Sequence, residues 1–241
     1  MNITQAIEKR KSRRTYLSTP IDADKVALLK SRIEEYNQRS GMTIRFMENG
    51  SFAFAGIGKS YGMFKGVRSL FIMKGQKTDE NLKEKAGYYG ELLVLESTVL
   101  GLGTCWVGGT FDKSSIRKSS EEEVICVITV GNVPPEETLK ERIITKAIHR
   151  STKTADEMLE ISGEAPDWLK TGMKAVQKAP STRNTQKPHF TYQDEILRAS
   201  VPDTYKFDLV DLGIAKLHFA LAAGGMFEQG NGGRYYPPSE E

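Results

Sequence analysis

The chain has 241 residues, 39% of them hydrophobic, which is enough to bury a substantial core. Its 34 lysine and arginine residues nearly balance 31 aspartate and glutamate residues, and the net charge of +3 argues against a nucleic-acid-binding or membrane-surface protein. The two cysteines, Cys105 and Cys126, cannot form a disulfide framework, and no apolar run reaches the roughly 18 residues of a membrane span. We therefore expect a cytoplasmic protein with a small-molecule substrate.

The first half of the chain is predicted to alternate helices and strands. A short amphipathic helix at residues 3–7 precedes a basic cluster, and a second helix, capped by Asp22 or Asp24, is expected to end at Gly41. A glycine-rich and aromatic stretch, residues 51–66, is interpreted as a long functional loop. The other expected elements are strands at residues 43–47 and 69–73, a covered central helix at 87–102 that stops at Gly103, a polar helical segment at 114–123 and a buried strand at 124–131.

The second half repeats this order in a shorter form. A helix at residues 168–178, a strand at 189–193 and an apolar helix at 211–225 follow one another. The last helix aligns with residues 88–103, with a shared glycine near the start and glycines at the end. Because a repeated element order weighs more than any one residue match, we infer an ancient internal duplication. The halves are expected to be residues 1–145 and 146–241, together one compact unit.

A basic cluster follows the first helix. It consists of Arg10, Lys11, Ser12, Arg13 and Arg14. Four cations in five residues repel one another, and a bound phosphate would offset that repulsion through charge-assisted hydrogen bonds. The alternative is a solvated basic face, the usual fate of a charge run.

A second candidate region is GLGTCWVGG, residues 101–109. Its glycines let a flat ligand approach the backbone, and exposed N–H groups there can donate to an acceptor such as a flavin N5. The alternative is an ordinary helix C-cap followed by a loop. The glycines are expected to follow a helix and not a strand, so a dinucleotide-binding fingerprint is not met.

A third candidate region is the run APSTRNTQKP, residues 179–188, between a predicted helix and a predicted strand. Two prolines stiffen this loop, and its hydroxyls and amides are able to contact the edge of a ring. The alternative is a polar turn with no ligand.

Together these segments resemble the nitroreductase family of FMN enzymes. The family's R-x-S-x-R is matched by Arg10, Ser12 and Arg14; its A-P-S-x-x-N-x-Q-P by residues 179–188 with one inserted lysine; and its G-L-G-T-x-W by residues 101–106. The resemblance implies an α+β fold of three layers, α/β/α, with a mainly antiparallel sheet. It also implies an oxidoreductase in which NADH or NADPH reduces bound FMN, which then reduces a small acceptor such as a nitroaromatic or a quinone.

One departure from the family pattern concerns order. In family members the A-P-S-x-x-N loop lies between the arginine cluster and the G-L-G segment, whereas here residues 179–188 follow both. Family members are normally homodimers with flavins at the subunit interface, so this chain looks like that dimer fused and shortened. We expect one FMN per chain in the cleft between the halves, a degenerate second cleft, and a monomer, with a homodimer as the alternative.

The resemblance assigns the phosphate and ribityl chain of FMN to the basic cluster. The residues expected there are Arg10, Lys11, Ser12 and Arg14. Positive charge near flavin N1 and O2 would also stabilise the reduced anion. The family usually has a further basic pair for the phosphate after its last buried strand, and the candidates for it are Lys146, Arg150 and Lys153.

Five further residues are assigned to the flavin ring and its surroundings. Gly108 and Gly109 are expected to present backbone N–H groups near N5, and Trp106 to pack beside the ring. Ser181 and Asn184, from the second half, are expected to reach the pyrimidine edge or the ribityl hydroxyls. No catalytic acid or base is expected, because hydride transfer requires stacked geometry and protons can arrive from water.

The histidines and the G-I-G-K-S stretch have competing interpretations. His149, His189 and His218 lack metal-ligand spacing, so no metal is expected, and His218 is interpreted as a satisfied core histidine. Residues 56–60 lack the first Walker glycine and are interpreted as a lid, although a nucleotide-triphosphate binder is a remaining alternative. Another alternative is a flavin storage or sensing protein without turnover. Four aromatic residues near the lid are expected to face a substrate: Phe52, Phe54, Tyr61 and Phe64.

Overall fold

The computed structural model describes residues 1–54, 63–148 and 152–238. The chain divides into two compact units. The first unit consists of Met1–Leu82 and Leu92–Ala147, and the second of Lys83–Glu91 and Ile148–Glu241. None of the helices in the described residues is both long enough and apolar enough to cross a membrane.

The first unit contains a four-stranded antiparallel sheet with the strand order β1-β2-β4-β3. The residues of β4 are almost all buried, as the continuous β-branched run predicted. The elements of this part of the chain are α1 (Ile3–Lys9), α2 (Ala23–Ser40), β1 (Arg45–Met47), β2 (Ser69–Gln76), α3 (Leu82–Val99), β3 (Gly103–Val107), β4 (Glu122–Gly131) and α4 (Leu139–Ile148).

The second unit contains a five-stranded sheet with the order β5-β6-β7-β9-β8, in which the β5–β6 pairing is parallel and the other pairings are antiparallel. An aromatic core that includes Phe190, Phe219 and Tyr235 lies beneath it. The elements are β5 (Leu159–Ile161), α5 (Asp167–Val176), β6 (His189–Gln193), β7 (Ile196–Ser200), α6 (Asp208–Ala223), β8 (Met226–Phe227) and β9 (Gly233–Tyr236). The predicted α+β class with mainly antiparallel sheets is confirmed.

Several local predictions from the sequence are wrong. The polar segment 114–123 is not a helix: a single 3-10 turn, Lys113–Ser115, is followed by a loop, and β4 begins at Glu122 because that residue pairs with the end of β2. Gly103 does not stop a helix but begins β3. The hairpin β6–β7 was missed because its turn residues, Asp194 and Glu195, adopt positive φ angles of 51° and 60° without the glycine that marks such turns.

The two sheets share a strand order. The series β1-β2-β4-β3 corresponds to β6-β7-β9-β8, with α3 between its second and third strands in the chain and α6 in the same place of the second series. A helix also precedes each series, α2 in one case and α5 in the other. The second series has the shorter helices and, in β7, β8 and β9, shorter strands than their counterparts.

Two glycines in the second unit make a reciprocal helix contact. A Cβ on Gly87 of α3 would overlap the carbonyl of Val210, and a Cβ on Gly213 of α6 would overlap the carbonyl of Glu84. Each glycine therefore faces the carbonyl that lies three residues before the other glycine. The sequence alignment of the two helices matched Gly213 with Gly90. The reciprocal contact instead makes Gly87 the counterpart of Gly213.

The apolar helix α6 carries two buried basic side chains, His218 and Lys216, and both have partners. His218 is fully buried between the carbonyl of Ala175 (3.2 Å from Nδ1) and the carboxylate of Glu91 (3.0 Å from Nε2). The interpretation of His218 as a satisfied core histidine is confirmed, while His149 lies outside the described residues. Lys216 is equally buried, and its ammonium lies 2.7 Å from Glu84.

Candidate functional site

The basic cluster forms an extended segment in the first unit. Helix α1 ends at Lys9, and Arg10 turns into an extended conformation with φ −58° and ψ 129°. Backbone hydrogen bonds then hold the segment on both edges: the N–H of Arg13 donates to Thr104 of β3 (2.8 Å), and the N–H of Lys65 donates to Arg14 (2.9 Å). The cluster is therefore an ordered part of the sheet edge and not a flexible basic tail.

One face of this segment carries Arg10, Ser12 and Arg14, the three residues of the R-x-S-x-R pattern. All three are half-buried and lie close to the buried thiol of Cys105, to which Ser12 hydrogen-bonds. Burial raises the pKa of this thiol, while Arg14, Arg10 and the hydrogen bond from Ser12 act in the opposite direction. Cys105 and Cys126 are both free thiols.

The other face of the segment borders a cavity of about 620 Å³. Lys9, Lys11 and Arg13 line this cavity, whereas Arg10, Ser12 and Arg14 do not. The Lys11 ammonium is exposed and pairs with Glu137 at 3.1 Å. Alternation along an extended backbone explains this separation. The structure thus places Lys11 apart from the three other basic-cluster residues assigned to the cofactor.

A carboxylate that the sequence did not indicate organises the segment. Glu141 of α4 is completely buried, and its Oε1 accepts hydrogen bonds from the N–H groups of Arg14 (2.7 Å) and Thr15 (3.0 Å) and from the guanidinium of Arg13 (3.2 Å). Its Oε2 accepts from the N–H (2.8 Å) and the hydroxyl (3.0 Å) of Thr138. Burial alone would raise the pKa of Glu141, but these donors outweigh it and lower the pKa to about 2.

The glycine-rich region 101–109 contains the strand β3, so Gly108 and Gly109 follow a strand and not a helix, which corrects the sequence interpretation. Gly101 is the turn after α3 with φ +75°, and β3 then runs from Gly103 to Val107. Gly108 and Gly109 lie in the bend after this strand, half-buried and exposed respectively. Trp106, in β3, is half-buried.

The polar loop 179–188 lies in the second unit as a strained turn. Arg183, Asn184 and Gln186 have φ angles of 53°, 52° and 44°, in the left-handed region that non-glycine residues rarely adopt. Ser181 stabilises the turn because its hydroxyl accepts a hydrogen bond from the N–H of Gln186 at 2.9 Å. Such strain persists where surrounding contacts fix it, and it is concentrated at functional sites.

Two carboxylates in the first turns of α6 hold this loop. Asp211 accepts hydrogen bonds from the N–H of Thr182, 3.0 Å from each of its oxygens, and from the Thr182 hydroxyl at 3.2 Å. Asp208 pairs with Lys187, the lysine inserted relative to the family pattern, at 2.9 Å. The loop is therefore anchored at both ends to one helix.

The acidity of Asp211 leads to a testable pH dependence. Burial raises its pKa from 3.8 to about 7, against the hydrogen bonds from Thr182, which lower it. An acid whose pKa is higher in the folded than in the unfolded chain binds its proton more tightly when folded, so stability falls as pH rises through this interval. We expect the free energy of unfolding to fall by roughly 3 kcal/mol between about pH 4.5 and pH 7.5.

Urea unfolding at several pH values checks this expectation. Asp211→Asn keeps an acceptor oxygen for Thr182 and removes the titration, so the variant should show a flatter profile. Glu122 and Glu141, with pKa values of about 2, change protonation below this range and leave the comparison clear. Equal slopes in both proteins would contradict the assignment.

The remaining sequence candidates have separate positions. Lys153 is tied to the strained loop, because its ammonium donates to the carbonyl of Gln186 at 2.8 Å, and Lys146 is exposed on α4. Among the aromatic residues, Phe54 and Phe64 contact each other with ring centroids 5.4 Å apart, and Phe52 is exposed. Arg150, Tyr61 and residues 56–60 lie outside the described residues.

Comparison with known proteins decides the family. Residues 2–223 match the model of a family described as "Putative TM nitroreductase". The chain belongs to this nitroreductase family. No curated protein matches the chain. Nine-tenths of the sequence thus lies within the family model, including the basic cluster, the glycine region and the strained loop.

One solved structure shows that this chain has a nitroreductase fold, and two others are similar over part of the chain. A crystal structure titled a putative nitroreductase, from Thermotoga maritima, has a TM-score of 0.65 and 21% identity over 98% of this chain and 92% of its own. An FMN-dependent nitroreductase from Clostridium difficile matches 60% of this chain and 96% of its own, with a TM-score of 0.44 and 17% identity. A nitroreductase with bound FMN from Bacteroides fragilis covers 58% and 95%, with a TM-score of 0.43 and 17% identity.

The carboxylates that hold the two nitroreductase motifs could not be found from the sequence. Glu141 lies 127 residues from Arg14 in the chain, and Asp211 lies 29 residues from Thr182. Glu141 stands in a charged helical stretch that predicts a solvated face. A sequence does not show that an acidic residue is buried when the donors that bind it are distant in the chain.

Proposed function

We propose that this chain is an FMN-dependent oxidoreductase in which NADH or NADPH reduces the flavin, which then reduces a small acceptor such as a nitroaromatic or a quinone. The observation that supports this most is that three half-buried residues, Arg10, Ser12 and Arg14, lie on the side of an extended segment that faces away from its cavity. Two guanidinium groups and a hydroxyl on one face are donors suited to a phosphate and to ribityl oxygens.

The residues present fit a phosphorylated ligand. Arg10, Ser12 and Arg14 are half-buried, so their hydrogen bonds to an anion are less screened than those of exposed side chains. The raised pKa keeps the Cys105 thiol neutral, and it places no negative charge beside the phosphate. Arg13 forms a salt bridge with Glu141 and is therefore not among the proposed phosphate ligands.

FMN, when bound, supplies the group that accepts a hydride and passes it on. The N–H groups of Gly108 and Gly109 would hydrogen-bond the ring system, and Trp106 would pack beside it. Ser181 and Asn184 are proposed to contact the ring edge or the ribityl hydroxyls, an assignment supported by the family motif and by the fixed, strained turn. The chain needs only to orient the reactants and exclude side reactions, because water can supply protons.

The repeated strand order supports the proposed internal duplication. We also propose one FMN per chain. The reciprocal contact of Gly87 and Gly213 is also the pattern that a two-fold axis between related helices produces. We propose a monomer on this ground, which sedimentation measurements can check. Two free thiols fit a cytoplasmic location.

Flavin binding by purified protein tests the proposal. Wild-type protein should be yellow and contain about one FMN per chain, and Arg14→Gln should weaken FMN binding about tenfold or more, since it removes a charge-assisted hydrogen bond. Lys9→Gln is the matched control: it also removes one positive charge, from the opposite face of the segment. Colourless protein that does not take up FMN would refute the assignment.

Turnover separates the enzyme from a flavin storage or sensing protein. The enzyme should oxidise NADH or NADPH when a quinone or nitroaromatic is present. Tight FMN binding without turnover with either nicotinamide would favour the storage or sensing protein. Colourless protein that binds ATP would instead favour the triphosphate binder proposed for residues 56–60.

A further inference from the structure

The Glu141 carboxylate accepts hydrogen bonds from backbone N–H groups of the basic segment and from the guanidinium of Arg13. Arg13 lies on the face of the segment opposite to the three residues proposed to bind the phosphate. We propose that Glu141 is a positioning residue that fixes this segment so that its arginine and serine side chains are presented to the phosphate of FMN. This inference rests on the proposed function. Glu141 acts through the segment and does not touch the ligand.

The backbone geometry carries the first step of this inference. The N–H groups of the consecutive residues Arg14 and Thr15 both point at one carboxylate oxygen, whereas successive N–H groups of a regular strand point in opposite directions. Two converging N–H groups form an anion-binding concavity. Without that carboxylate the two N–H groups would lose their shared acceptor, and the bend in the backbone between Arg14 and Thr15 would be free to relax. The orientation of the Arg14 side chain would then no longer be fixed.

Charge carries the second step. The Arg13 guanidinium is buried, and its Nε lies 3.2 Å from the Glu141 carboxylate, which neutralises it. Its Nη2 donates to the carbonyls of Pro134 and Glu136, each at 3.0 Å. Arg13 is therefore fixed on the far face and cannot compete for the phosphate. Glu141 thus holds Arg13 in a structural role, while Arg10 and Arg14 stay available for the phosphate.

The test compares FMN with riboflavin, which lacks the phosphate. Glu141→Gln keeps the side-chain shape, removes the charge and places an NH₂ group against the N–H of Thr138. We expect the FMN affinity of the variant to fall about tenfold and its riboflavin affinity to fall by about threefold or less, since riboflavin shares the ribityl contacts of these residues but has no phosphate contacts to lose. Fluorescence titration of apo protein with each flavin measures the ratio.

Glu122 supplies the control. Its carboxylate is also buried, also has a pKa of about 2 and is held by Lys74 and Thr43 in another part of the same unit. Glu122→Gln should lower stability but leave the FMN-to-riboflavin affinity ratio unchanged. An unchanged ratio in folded Glu141→Gln protein, or an equal loss for both variants, would overturn the inference.

A milder variant is decisive if Glu141→Gln does not fold. Thr138→Val removes only the hydroxyl that bonds to Glu141 and should lower the affinity ratio two- to threefold, and an unchanged ratio would count against the inference. Wild-type protein that binds neither flavin would refute the proposed function itself, and the inference with it. If wild-type protein prefers FMN and the variants keep the same preference, only the role of Glu141 is refuted.

Discussion

Gly213→Ala should destabilise the protein by about 3 kcal/mol or more and leave little folded protein at 37 °C. The added Cβ would lie closer than 3.0 Å to the carbonyl of Glu84 and 2.9 Å from the N–H of Tyr88. Both atoms belong to helix backbone and cannot move alone, so the two helices would have to separate. By reciprocity Gly87→Ala should have a similar effect.

Chemical denaturation and thermal melting measure this effect. Gly101→Ala serves as the control, because a Cβ there meets no heavy atom within 4 Å and only the φ of +75° opposes it. That variant should lose about 1 kcal/mol. If Gly213→Ala and Gly101→Ala were equally stable, the close helix crossing would not exist in solution.

Lys216→Met should destabilise the second unit by about 3–5 kcal/mol, the range expected when one partner of a buried ion pair is removed. The Lys216 ammonium donates to Glu84 at 2.7 Å and to the carbonyls of Glu228 and Gly230 at 3.0 and 2.8 Å. Methionine fills the space but leaves the Glu84 carboxylate buried without a cation. The two carbonyls before β9 would also lose a donor.

An exposed pair provides the comparison. Lys30 and Glu48 lie 2.6 Å apart but are about half exposed, so Lys30→Met should change stability by less than about 1 kcal/mol. The double variant Glu84→Leu with Lys216→Met should recover part of the loss, because no lone charge stays buried. Equal urea midpoints for Lys30→Met and Lys216→Met would contradict the argument.

The spacing of hydrophobic residues and the positions of glycine and proline predicted much of the fold. The strand His189–Gln193 was found with its exact bounds, and α2 ends at Gly41, whose φ of 71° is the left-handed cap that glycine favours. The short strands β5, β8 and β9 were missed, since two to four residues carry no measurable alternation. Tertiary pairing, not local preference, creates such strands.

Motif spacing predicted which residues of the basic cluster share a face but did not indicate the residues that support them. Arg10, Ser12 and Arg14 do share one face, as the R-x-S-x-R pattern requires. The sequence interpretation placed the basic cluster at a helix end. The cluster instead has an extended backbone, and this puts Lys11 on the opposite face. The carboxylates that support the motifs come from distant parts of the chain, and a single sequence does not show which distant residues are in contact.

The salt bridge of Lys187 limits which changes in length this loop tolerates. Asp208 is almost completely buried and accepts hydrogen bonds from the N–H groups of Thr204 and Tyr205 as well as from Lys187. Deleting Lys187 would give the loop the length of the family pattern but would leave that carboxylate without its cation. A shorter loop would therefore be tolerated only together with an uncharged residue in place of Asp208, so the two positions must change together.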